Sequence, residues 1–139
     1  MKKYIYPLIL SAFMLSCAGS SSEEEVVLLV VENNIPSLPS LIAPENNLVC
    51  INNEVLLKWQ ASEDADGDEI NYTIEISEDN EFIKINHSLN TTNNAITVSL
   101  EKGKAYYWRV KATDKLNETK GYSVSFKFYT EGEAVQNYA

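Results

Sequence analysis

Two cysteines, one histidine and one arginine are all that 139 residues contain of the side chains that most often build disulfides, transition-metal sites and bidentate anion clamps. If Cys17 is modified or removed, Cys50 has no intrachain partner and the fold has to stand without a disulfide. Cys50, beside Ile51, reads as a small buried side chain, with a reactive or intermolecular thiol as the alternative. The single histidine, His87, sits in a polar stretch with no nucleophile placed beside it, which excludes a histidine-based hydrolytic arrangement. The five glycines are scattered and make no phosphate-cradling loop. Bases are scarce as well, 11 against 20 acids. Without Lys2 and Lys3, which lie in a segment expected to be cleaved, the chain carries 20 acids against 9 bases, a net charge of −11. That acidity repels nucleic acid and anionic lipid, and no basic patch offsets it. Helical periodicity is missing from every 11-residue window after the leader, which excludes an α-helical domain.

The chain does have a strongly marked start. Lys2 and Lys3 precede the mostly apolar run YIYPLILSAFML, which ends at a small residue and a cysteine. The run is short for a membrane span of about 20 residues and has the layout of a signal peptide. Met14, Leu15, Ser16 and Cys17 resemble the cleavage site of a bacterial lipoprotein. In that family the cysteine receives a diacylglycerol and becomes the first residue of the mature protein. The family prefers Leu where Met14 stands and a small residue where Leu15 stands. The alternative is an ordinary secretory signal cut near Cys17, Ala18 and Gly19. Ala18, Gly19 and SSSEEE follow and resemble the export signal of surface lipoproteins of the Bacteroides and flavobacterial group. The resemblance implies lipid attachment at Cys17, membrane tethering and a place in the cell envelope at the outer membrane. Ser20 to Glu25 can bury nothing and reads as a solvated leash.

Residues 1–17 are thus expected to be a leader, 18–37 a leash and linker, 38–130 a domain and 131–139 a tail. The run VVLLVV at 26–31 reads as an edge strand or as a partner-binding segment. Pro36, Pro39 and Pro44 forbid a helix and permit short extended pieces at a sheet rim. From Glu54 the apolar residues alternate: Val55, Leu57 and Trp59 on one face, then Ile70, Tyr72, Ile74 and Ile76 after the turn-forming ASEDADGDE. EFIKI reads as a short strand. Ile96, Val98 and Leu100 alternate next, then Tyr106, Trp108, Val110 and Ala112, and finally Val124, Phe126 and Phe128. The class is all-β.

These segments resemble a fibronectin type III domain of the bacterial kind over residues 38–130, on LLKWQAS, INYTIEIS, LEKGKAYYWRVKATD and SFKFYT. The resemblance implies a seven-stranded immunoglobulin-like β-sandwich. Its core is expected to hold Trp59, Tyr72, Leu100, Tyr106, Trp108 and Phe126. Leu100 stands six residues before Tyr106, the spacing of the family's tyrosine corner, in which the hydroxyl bonds back to the preceding loop. The family's Arg-Gly-Asp adhesion tripeptide is absent, since Arg109 precedes Val110. Tyr107 and Tyr129 should point outward on neighbouring strands, and with Arg109 and Lys111 they form a candidate face for a protein or glycan partner.

The densest polar cluster is Glu63, Asp64, Asp66, Asp68 and Glu69, five acids in seven residues around Gly67. Asp64, Asp66 and Asp68 alternate like the start of a calcium loop, and Glu75 is the twelfth position counted from Asp64. The glycine, however, stands fourth where an EF-hand has it sixth. D-x-D-G-D turns of extracellular β-domains are a nearer likeness, leaving a plain solvated turn or a weak calcium site as readings. No other cofactor is implied, and no paired carboxylates lie in a rigid cleft. The expected function is a membrane-tethered, non-enzymatic interaction or spacer module, accessory to glycan handling or adhesion. A calcium-stabilised extracellular domain is the runner-up, and an enzyme is the weakest reading.

Overall fold

The computed structural model describes residues 31–132. Cys17, residues 26–30 of the apolar run, residues 133–139 of the tail and the side chain of Cys50 lie outside the described residues. Eight strands follow one another: β1 Ser40–Ala43, β2 Leu48–Ile51, β3 Glu54–Gln60, β4 Asn71–Ser77, β5 Ile85–Thr91, β6 Ala95–Ser99, β7 Ala105–Thr113 and β8 Phe126–Thr130. They form a three-stranded sheet in the order β1-β3-β6 and a five-stranded sheet in the order β2-β8-β7-β4-β5. All pairings are antiparallel except β2 with β8. This is the all-β sandwich that the alternation demands, with one strand more than the seven expected.

The extra strand comes from the proline-bearing segment. β1 lies at the edge of the small sheet, and after the cis Ala43-Pro44 bond the chain crosses to the edge of the large one as β2. Edge positions suit a segment whose prolines cannot serve two neighbours. Pro36, Pro39 and Pro44 are buried. Ser37 N–H donates to the Glu63 carbonyl at 2.9 Å, and Glu63 N–H donates to Ser37 Oγ at 2.9 Å. The packed unit accordingly begins at Asn34, ahead of the boundary expected at residue 38.

Period-two alternation places the core. β3 alternates strictly between exposed and buried, with Val55, Leu57 and Trp59 at 2% exposure or less. Tyr72, Ile74 and Ile76 of β4 stand opposite Ala112, Val110 and Trp108 of β7 in register. Trp59 and Trp108 sit on opposite sheets and are fully buried. Trp59 meets Tyr72 across the sandwich with ring centroids 5.3 Å apart at 63°, an edge-to-face contact. Phe126 is half-buried and meets Trp108 edge-on at 6.4 Å.

Two segments depart from the alternation. EFIKI is a turn followed by the start of β5, because Asp79 gathers the chain around its carboxylate. Asp79 accepts N–H bonds from Glu81, Ile83 and Lys84 at 3.0 to 3.1 Å and the Ser77 hydroxyl at 2.9 Å. Phe82 within this turn is buried at a φ of 56°. Val124, expected inward, is 73% exposed. It falls in a stretch where Ser123 N–H bonds to the Val110 carbonyl and Val110 N–H to Ser123 Oγ. That local exchange interrupts the strand, and regular pairing resumes only at Phe126.

Candidate functional site

The acidic loop between β3 and β4 is built from its anchors upward. At its start, Ser62 N–H donates to the hydroxyl of buried Tyr72 at 2.8 Å. Gly67 closes the turn at φ 73°, and its N–H donates to the Asp64 carbonyl at 3.1 Å. Asp64 Oδ1 accepts the N–H groups of Asp66 at 2.8 Å and Asp68 at 3.4 Å. Asp66 binds Asn34 twice, accepting its backbone N–H at 2.6 Å and its side-chain amide at 2.9 Å. These two bonds, the backbone one foremost, hold the Asp66 carboxyl below its ordinary range. Lys115, from the loop after β7, donates to Asp68 Oδ1 at 2.6 Å. This bond raises the Lys115 ammonium above its usual value. One oxygen from each of Asp64, Asp66 and Asp68 lies within 4.8 Å of the others, so the structure brings the three together. Glu75 belongs to β4 and is engaged elsewhere.

That engagement is on the outer face of the five-stranded sheet. Arg109 of β7 donates through Nε and Nη2 to Glu75 Oε2 of β4 at 2.9 and 2.6 Å, and Tyr122 Oη donates to Glu75 Oε1 at 2.7 Å. The guanidinium lies 4.0 Å from the ring centroids of both Phe82 and Tyr122. Lys111 stands 4.9 Å over Tyr122. Burial first, and then the bond to Glu75, push the Tyr122 hydroxyl up to about 12. Tyr107 and Tyr129 instead flank Lys127, whose ammonium is 5.3 and 4.7 Å from their rings. The candidate face thus divides: Arg109 and Lys111 share Tyr122, while Tyr107 and Tyr129 share Lys127. Beside Lys111 opens a polar groove of about 410 Å³ lined by Asn71, Thr73, Asn90, Thr113 and Asn117 among others.

Sequence reasoning missed Tyr122, Phe82, Lys115 and Lys127. Nothing local marks them, since each acts across a gap that the fold closes. It missed also Asp114, a carboxylate at 2% exposure whose Oδ1 accepts the N–H groups of Leu116 and Glu118 at 2.8 Å.

At the start of β7, Leu100 is 5% and Tyr106 2% exposed. Burial raises the Tyr106 hydroxyl above its ordinary value, with the nearby Glu101 backbone working against it. Both side chains are in the core, where the Leu100 to Tyr106 spacing of the corner would place them. The family model described as fibronectin type III domain matches residues 43–129. The chain belongs to the fibronectin type III family. Among solved structures, the chain is similar to a β-1,2-glucanase from Parabacteroides distasonis, at 23% identity and a TM-score of 0.53 over 77% of this chain and 15% of that one. It is similar also to the fibronectin type III domain of human fibronectin type III domain containing protein 3, at 17% identity and a TM-score of 0.53 over 78% and 98%. An α-L-rhamnosidase from Dictyoglumus thermophilum matches at 17% identity and a TM-score of 0.51, over 73% of this chain and 13% of the enzyme. The search of curated proteins found no match. At these identities the structural likeness concerns the fold, and the fibronectin type III chain spans about a seventh of the two enzymes.

Proposed function

We propose that this fibronectin type III domain is a non-catalytic spacer or interaction module, tethered to the cell envelope by a lipid on Cys17. One observation carries the reading. The side chains that come nearest to a site on the large sheet, Arg109, Glu75 and Tyr122, satisfy one another in an ion pair, a hydrogen bond and ring contacts. Groups already matched in this way stiffen a surface; they do not await a substrate. In the 63–69 loop, Asp64 Oδ1 and Asp66 accept backbone N–H groups and Asp68 Oδ1 accepts from Lys115, bonds that shape the turn. An accessory role beside glycan-handling proteins is the form of the reading we favour, because two of the neighbours above are enzymes in whose far longer chains a similar sandwich is embedded.

The tether is tested by feeding cells a labelled fatty acid. The wild-type chain should carry the label and fractionate with the envelope, and Cys17→Ser should lose both. Two or more acyl chains anchor stably where one does not, at about 0.8 kcal/mol per buried methylene. An unlabelled wild-type chain in the soluble fraction would defeat the tether. Electrophoresis through gels containing polysaccharide separates spacing from glycan binding. Unretarded migration supports the spacer, whereas retardation that Tyr107→Ala removes would replace it with a binding face.

A further inference from the structure

We propose that Asp64, Asp66 and Asp68 form a binding site for a hard divalent cation of calcium's size, and that the Lys115 ammonium is the resident competitor for it. The cluster of acids alone would not support this, since exposed carboxylates repel one another and are usually solvated. What points to a ligand is that Oδ2 of Asp64 and Oδ2 of Asp68 are both buried and have no hydrogen-bond partner. The Asp68 side chain is only 6% exposed. An anionic oxygen removed from water without a partner is among the costliest groups a fold can carry. Two of them in one loop, beside a third carboxylate with all three ligand oxygens inside 4.8 Å, leave a gap in the charge balance that a cation fills.

The donor set specifies the cation. All candidate ligands are carboxylate oxygens, which favours a hard ion over zinc or copper. The turn is irregular and its oxygens are held by backbone N–H bonds at differing distances, so it offers a loose shell of the kind calcium accepts. Magnesium demands a near-ideal octahedron and gives up water reluctantly.

Lys115 sets how tightly the ion is held. Its ammonium reaches Asp68 Oδ1 from outside, at 2.6 Å, on a side chain that is 64% exposed. It neutralises one oxygen and leaves the other bare. An arriving divalent ion takes the position between the carboxylates, and the lysine swings into water at little cost because its stem is already solvated. Asp66, which shares the site, also holds Asn34, so occupancy bears on the segment that leads into β1.

The test is calorimetric titration of calcium chloride and, separately, magnesium chloride into the full chain in detergent, with Asp68→Asn and Lys115→Met beside the wild type. Saturable calcium binding is expected in the class of about 0.1 to 1 mM, with magnesium weaker. Lys115→Met should tighten calcium by about two- to fivefold, the factor that corresponds to an exposed ion pair. Asp68→Asn should abolish the binding while an unchanged circular-dichroism spectrum shows that the sandwich is intact. Absence of saturable calcium binding in both the wild type and Lys115→Met would overturn the site. So would equal heats from both ions that persist in Asp68→Asn, which is the mark of screening. Unchanged calcium affinity in Lys115→Met would overturn the competition.

Discussion

Trp59 shows what one side chain carries here. It has no exposed surface, lies against Tyr72 edge-to-face, and touches a residue whose hydroxyl in turn holds Ser62 at the start of the acidic loop. Trp59→Ala should therefore destabilise the domain by about 3 to 5 kcal/mol, from lost transfer energy and the cavity left behind. Net stabilities of about 5 to 15 kcal/mol make that a large share. Urea unfolding measures it, and a loss under about 1 kcal/mol would mean that the Trp59 ring does not fill the core. Phe82 is the opposite case, a bulky residue at a φ of 56° in a region that side chains disfavour. Its ring is buried and lies under the Arg109 guanidinium, and those contacts offset the backbone cost.

At the level of elements, the large sheet is joined across its outer face as well as through its backbone ladders. Arg109 and Glu75 are cross-strand partners in the β4 and β7 register, and Tyr122 brings the loop before β8 to the same carboxylate. Arg109→Lys keeps the charge but loses the two-pronged contact with Glu75 and the flat stacking between Phe82 and Tyr122. It should cost about 1 to 3 kcal/mol, the worth of hydrogen bonds to a charged group that is partly removed from water. Thermal unfolding of that variant, compared with Lys58→Arg on the exposed face of β3, reads the difference. Equal midpoints would show that the stacked ion pair adds nothing.

For the molecule as a whole, the titrating groups set the alkaline limit. Tyr122 is raised by burial and by Glu75 from 10.0 to about 12, so the folded state holds its proton more tightly than the unfolded chain does. The stability that this brings is complete below about pH 10 and is lost as the pH climbs through about 12. Tyr106 is raised in the same direction, chiefly by burial, and adds to the loss. Lys104, raised by its bonds to Glu101 and Glu78, follows the same sign. Urea midpoints measured across this window should fall, and the fall should be shallower in Tyr122→Phe. An identical slope in that variant would remove Tyr122 from the explanation. The acid side has the opposite sign. Asp79 is held below its ordinary value, foremost by the Lys84 and Ile83 N–H groups, so its contribution is present near neutrality and fades as the pH drops through that lowered value.

The sequence alone determined what depends on neighbours along the chain. Strand faces follow from period two, so Val55, Leu57 and Trp59, and likewise Tyr72, Ile74 and Ile76, could be assigned to the core without coordinates. Leu100 and Tyr106 stand six positions apart, the spacing that the family resemblance reads as a tyrosine corner, and D-x-D-G-D marked its own turn. Tertiary structure decided everything that joins distant segments. Arg109 meets Glu75 across 34 residues, Tyr122 meets Glu75 across 47, and Lys115 meets Asp68 across 47. It also decided that the proline segment serves both sheets and that Asp79 folds EFIKI into a turn. Alternation is a property of one strand, whereas these partnerships depend on which strands lie side by side and in what register. The two bare carboxylate oxygens of the acidic loop belong to this second kind: burial, which makes them costly and so points to a cation, exists only once the sheets have packed.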